Sequence, residues 1–173
     1  MNKLKNKLKI YIEKNLEEKE GLFSKLKCAF FIDKEMVEAD DYSYNESDIN
    51  LEDFLEKNEE KYNDFQTMLF KFIDEKDLKD SDVYNKVHID RRLFSKIRSD
   101  KNYHPSKDTV ILLAIALELS EKELDILLDS ASYSLPKNNK YDLIIRFCFI
   151  NKIFKITEIN ELLDEYKCKL FSY

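Results

Sequence analysis

One glycine and two prolines among 173 residues leave this chain almost without the residues that reverse direction in hairpins or take up positive φ cheaply. Leu, Lys, Glu, Ile and Asp are abundant instead, and long helical runs follow from such a composition. An all-α fold is predicted, of a length that suits one compact core or a core with a helical appendage.

The same scarcity excludes several kinds of chemistry. Phosphate-cradling loops and nucleophile elbows need glycines where the backbone must approach a ligand, and Gly21 alone builds neither. Cys28, Cys148 and Cys168 lie far apart, and His88 and His104 lack the spacing of metal ligands, so neither a disulfide nor a metal site is expected. With no paired acid and base either, no enzyme and no cofactor are expected. The first twenty residues alternate lysine with isolated apolar positions rather than forming a secretory signal, which predicts a cytoplasmic chain. Leu143 to Ile156 is the longest apolar-rich run, but Arg146, Asn151, Lys152 and Lys155 interrupt it, so it reads as a core or dimer helix with no membrane role.

Periodicity divides the chain further. Leu4, Leu8, Tyr11, Ile12 and Leu16 form one stripe of an amphipathic helix over residues 2–19, with lysines opposite. A second helix is expected over 22–39, although K-C-A-F-F-I at 27–32 could pair as a strand given a partner. From Glu38 to Asp53 there are seven acids and no Lys or Arg, as in a solvated linker or an acidic surface that competes with nucleic acid. Asn50 can cap a helix starting at Leu51 and continuing, straight or broken near Asn63, to Lys76. Ser106 opens a helix over 109–119 dense enough in Leu, Ile and Ala to require burial, and Ser120 with Glu123 forms a capping box for the next. Beyond Ser134-Leu135-Pro136 two more helices are expected, Tyr141 to Phe154 and Thr157 to Tyr166, the second capped by Thr157. Cys28 and Cys148 read as small buried hydrophobes, and Tyr133, Tyr141, Phe147, Phe149 and Phe154 as core or interface aromatics. The division is 1–60, 61–130 and 131–173.

The passage that bears on function is Val83 to Arg98, V-Y-N-K-V-H-I-D-R-R-L-F-S-K-I-R. Apolar positions 83, 87, 89, 94 and 97 suit two short helices joined by a tight turn, with Asp90 capping a second helix that carries Arg91, Arg92, Lys96 and Arg98. From Asn85 to Lys107 there are seven Lys or Arg against two Asp, a local excess of five positive charges on a chain of net charge −6. A basic patch on an acidic body orients a polyanion without making the whole surface adhesive.

Across Phe65 to Leu128 the order of elements resembles the five-helix domain of the XRE family of phage-repressor-like regulators. In that family's pattern L-A-x-x-L-G-V-S-x-x-x-I-S-x-I, Val83, Val87, Ile89, Asp90, Phe94, Ser95 and Ile97 fall at corresponding places, and Pro105-Ser106 matches its P-S helix start. F-I-D-E-K at 72–76, I-D-R-R-L-F-S-K-I-R-S at 89–99 and P-S-K at 105–107 resemble a bacterial variant that continues into a helical extension like Lys140 to Leu170. The resemblance implies a five-helix DNA-binding helix-turn-helix domain followed by a C-terminal helical pair; residues 1–60 lie outside it, and their periodicity alone suggests an N-terminal helical extension. It also implies that Arg91, Arg92 and Lys96 face base edges beside Ser95, with Arg98, Lys101 and Lys107 nearer phosphates. The sequence departs from the pattern at Tyr84 and His88, where the family carries a close-packing Ala and a turn Gly, and at Asp80 and Asp82, acids at a helix start that the family brings towards phosphate.

Two functions are consistent with these residues. One is a regulator that reads double-stranded DNA as a homodimer, through the N-terminal helices or the 143–156 helix. The other is an interaction module, such as an antitoxin, inhibitor or adaptor, that engages a protein partner through residues 1–60.

Overall fold

The computed structural model describes residues 3–16 and 64–172. The expectations for 22–39, the acidic segment, Cys28 and the part of the helix from Leu51 that precedes Asp64 lie outside the described residues, and the later part of that helix is present from Phe65. Eight helices and no strand occur among those described. They are α1 (3–16), α2 (Phe65–Glu75), α3 (Asp80–Lys86), α4 (Arg91–Ser99), α5 (Lys107–Ala116), α6 (Glu121–Ser130), α7 (Lys140–Ile150) and α8 (Ile156–Glu165). Met1–Ile12 and Asn63–Tyr173 belong to one compact unit. Of the other, Glu13–Tyr62, only residues 13–16 are described.

Local chemistry accounts for the helix starts. Asp64, Asp90, Ser106, Ser120 and Asn139 each accept a hydrogen bond from a backbone N–H of the first turn, and Ser120 with Glu123 completes the reciprocal capping box. Thr157 does not cap α8. That helix begins one residue earlier, at Ile156, with Lys155 before it and no side-chain cap, because Ile156 is drawn into the core with Ile159, Leu162 and Leu163.

Helix ends follow a rule that the scarcity of glycine hides. Asp77, His88, Glu118, Ser132, Lys152 and Lys167 all have φ between 50° and 58°, and each stands two residues past the end of α2, α3, α5, α6, α7 or α8. The following N–H reaches back five residues each time, as in Leu78 to Ile73, Ile89 to Tyr84 and Leu119 to Ala114. These are Schellman ends built on residues with a Cβ, at about 1–2 kcal/mol of backbone strain apiece. Lys152 in this conformation ends α7 at Ile150, leaving Phe154 outside the helix that was expected to include it.

The core joins all parts of this unit. α5 is buried along almost its whole length, α2 packs on α6, α3 on α5, and α7 on α8 and α6. The apolar stripe of α1 closes the unit, with Leu8 and Ile12 buried and the Tyr11 ring 5.5 Å from that of Phe147. α7, expected as a core or dimer helix, buries Leu143, Ile144, Ile145, Phe147, Cys148 and Phe149 within its own chain and leaves Ile150 as its exposed large apolar side chain.

Polar contacts also join α7 to α5 and α6. Asp142, 3% exposed, accepts from Lys107 Nζ at 2.6 Å and from Asn139 Nδ2 at 2.6 Å. Arg146 donates to Glu121 and Asp125 of α6, and Tyr141 Oη to Asp108 Oδ1 at 2.8 Å. The tail after α8 returns to the core, where the Asn160 amide donates to Phe171 O and accepts from Phe171 N, both at 2.9 Å. No helix among the described residues is long and apolar enough to cross a membrane.

Candidate nucleic-acid interface

α3 and α4 meet at the turn Val87–Asp90, held from inside by Val83, Val87, Ile89, Phe94 and Ile97, all buried. These are the five positions whose spacing predicted the pair. His88 occupies the left-handed conformation, φ 55°, at the place where the resembled pattern has glycine. The turn therefore keeps a glycine-like backbone on a residue that bears a Cβ. Tyr84, in place of a small residue, sets its ring against Phe94 at 5.5 Å and is half-buried, so the bulk is absorbed at the outer edge of the contact.

Asp90 Oδ1 accepts from Arg92 N at 2.6 Å and orders the first turn of α4. The far end of that helix has no Schellman motif. Its last carbonyls are taken instead by Gln66 of α2, whose Nε2 donates to Ile97 O at 2.9 Å and also to Arg98 O. Gln66 thus anchors the basic helix to α2 across 31 residues of chain. Nothing in the spacing singles it out, since a polar residue on an amphipathic helix ordinarily faces water.

The seven cations of the basic segment separate into two groups. Lys86 pairs with Glu118, Lys107 with Asp142 at 2.6 Å, and Arg98 Nη2 with Asp80 Oδ1 at 2.7 Å. The Arg98 guanidinium also lies 4.2 Å from the centre of the Phe70 ring. Among the described residues, Arg91, Arg92, Lys96 and Lys101 have no salt-bridge partner, and all four are exposed. Lys96 Nζ sits 4.8 Å from the Tyr103 ring, a contact that orients the ammonium and leaves its charge uncompensated.

Helical geometry places Arg92 and Lys96 opposite Phe94 and Ile97, and Arg91, Ser95 and Arg98 on an exposed stripe that borders Phe94. Of the residues expected at phosphates, Lys101 is outward-facing, Arg98 is tied to Asp80, and Lys107, 27% exposed, points to the buried carboxylate of α7. Asp80 and Asp82 do stand in the first turn of α3, and Asp80 is balanced by Arg98. His104 packs its ring 5.3 Å from Tyr133, whose hydroxyl donates to Pro105 O.

Elsewhere the ionisable groups have structural surroundings. Burial pushes the Cys148 thiol up to about 12, and burial with the hydrogen bond to Asp108 raises the Tyr141 phenol above its ordinary value. No cluster of three or more His, Cys, Asp or Glu among the described residues is placed to hold a metal ion. No protein-family model, curated protein or solved structure matches this chain.

Proposed function

We propose that the chain is a sequence-specific DNA-binding protein, a transcriptional regulator of XRE-like helix-turn-helix type, that lays α4 in the major groove. The observation that supports this reading is the separation of the cations. Lys86, Arg98 and Lys107 are each paired with a carboxylate of the same chain, whereas Arg91, Arg92 and Lys96 stand uncompensated with Ser95 on the outer face of a helix whose inner face is locked by Phe94 and Ile97. An arginine near the start of such a helix reads guanine O6 and N7 in a bidentate manner, and a good pair of this kind discriminates by about 1–3 kcal/mol. Lys101, beyond the end of α4, suits the phosphate backbone, which adds affinity without sequence information.

Two copies on a palindromic site would set their α4 helices roughly 34 Å apart, one turn of B-DNA, or a multiple of it. The test is fluorescence anisotropy of the full chain with DNA selected from a random pool. Affinity should fall steeply with salt, Arg92→Ala should relax base preference, and Lys101→Ala should weaken all sequences alike. Binding that is absent from a genomic fragment library, or independent of salt, refutes the reading.

A further inference from the structure

The face between α3 and α4 carries a groove of about 390 Å³ that base reading leaves unexplained. Its rim holds three cations, Lys79, Arg91 and Arg98, against the single carboxylate of Asp80, and it adds the hydroxyls of Ser81 and Ser95. Among the described residues neither Lys79 nor Arg91 has a salt-bridge partner. Arg98 already grips an oxyanion, the Asp80 carboxylate at 2.7 Å, while Phe70 supports the guanidinium from behind at 4.2 Å. The arginine is thereby oriented by an aromatic ring as well as by the acid, and keeps its position if the acid is exchanged for another anion.

An excess of two positive charges beside hydroxyl donors matches an anion of higher charge than a carboxylate. A phosphate monoester carries about −1.5 to −2 at neutral pH and presents three acceptor oxygens, and arginine pairs with it in a bidentate manner. The groove lies near the lower end of the volume range of small-molecule sites. Tyr84, backed by Phe94, lines it and offers an aromatic surface for a flat ring.

We propose that this groove binds a small phosphate monoester bearing a flat ring, of the nucleoside monophosphate class, clamped by Arg91 and Arg98, with Asp80 as the internal carboxylate that the ligand displaces. Arg91, Ser95 and Arg98 belong both to the groove and to the outer face of α4, so the ligand excludes DNA and acts as an effector. That last consequence rests on the DNA-binding reading, whereas the binding of the ligand does not.

The experiment is a calorimetric titration of the full chain with AMP, inorganic phosphate and adenosine in turn. AMP should bind saturably, phosphate more weakly and adenosine not at all. Arg91→Ala and Arg98→Ala should each weaken AMP about tenfold or more. Asp80→Asn should tighten it, a gain that a merely structural ion pair does not predict, and far-ultraviolet circular dichroism checks that each variant is folded. Absence of saturable AMP binding by both the wild type and Asp80→Asn overturns the proposal. So does equal binding of adenosine, or AMP binding indifferent to both arginine substitutions. AMP bound by a chain that captures no DNA leaves the groove standing and removes the regulator reading alone.

Discussion

Replacing Lys107 by alanine separates two roles that its sequence position leaves confounded. As a phosphate contact, Lys107 would matter to DNA and hardly to stability. As the partner of Asp142 it holds a carboxylate that is 3% exposed, at 2.6 Å, across the junction of α5 and α7. Breaking a fully buried ion pair by removing one member costs about 3–5 kcal/mol, because the other charge is left in a poorly polarisable interior. Lys107 is 27% exposed and Asn139 still donates to Asp142, so water and one hydrogen bond compensate part of the loss. The expected destabilisation is about 2–3 kcal/mol. In urea, with a slope of about 1–3 kcal/mol per molar, the midpoint should move down by roughly 1–2 M, followed by circular dichroism. Lys101→Ala, on the open surface, should stay within about 0.5 kcal/mol of wild type. Replacing both members, Lys107→Met with Asp142→Leu, should recover most of the loss, since no buried charge then remains. The reasoning fails if Lys107→Ala unfolds with the wild-type midpoint and yet loses salt-dependent DNA affinity, for the ammonium would then serve phosphate and Asp142 would not need it.

Three further outcomes follow from other parts of the molecule. Hydrogen bonds from the Ser120 backbone N–H and hydroxyl hold the Glu123 carboxyl below its ordinary value; its stabilisation is therefore present above the unfolded value, about 4.3, and is lost as pH falls through the lower folded one. Glu123→Gln should accordingly reduce stability at neutral pH and narrow its deficit against wild type in acid, as measured by urea midpoints across pH. The Cys148 thiol, buried and raised to about 12, should resist iodoacetamide at pH 8 until denaturant is added, as read by peptide mapping; prompt labelling of the native chain would contradict the burial. At residue 88, glycine should give a protein more stable than valine by at least about 1 kcal/mol, because a β-branched residue tolerates φ near 55° poorly, and equal stabilities would argue against the left-handed turn.

Most of the helical framework was legible because its signals are local. Ser106, Ser120 and Asp90 cap within three residues of themselves, and the five apolar positions of Val83 to Ile97 are linked by a period that any amphipathic pair repeats. The ends were harder to read. Among the described residues no glycine marks a helix end, although six helices terminate through a left-handed residue, because the signal lies in the buried apolar residue after it, such as Ile89, Leu119 or Ile153. The start of α8 was misplaced for a related reason, with burial of Ile156 prevailing over the capping preference of Thr157.

Glycine scarcity and apolar period, both properties of the chain as a string, suffice for an all-helical protein with a basic helix following a turn. Which cations remain available to a ligand is not such a property. Arg98, Lys101 and Lys107 are alike in sequence, yet one faces Asp80 eighteen residues upstream, one faces water, and one faces Asp142 thirty-five residues downstream. Gln66 finds the end of α4 in the same non-local way. Charge pairing depends on separations of a few ångströms, and only the packing of α2 and α5 against the pair α3 and α4, and of α7 beside α5, brings such distant residues that close.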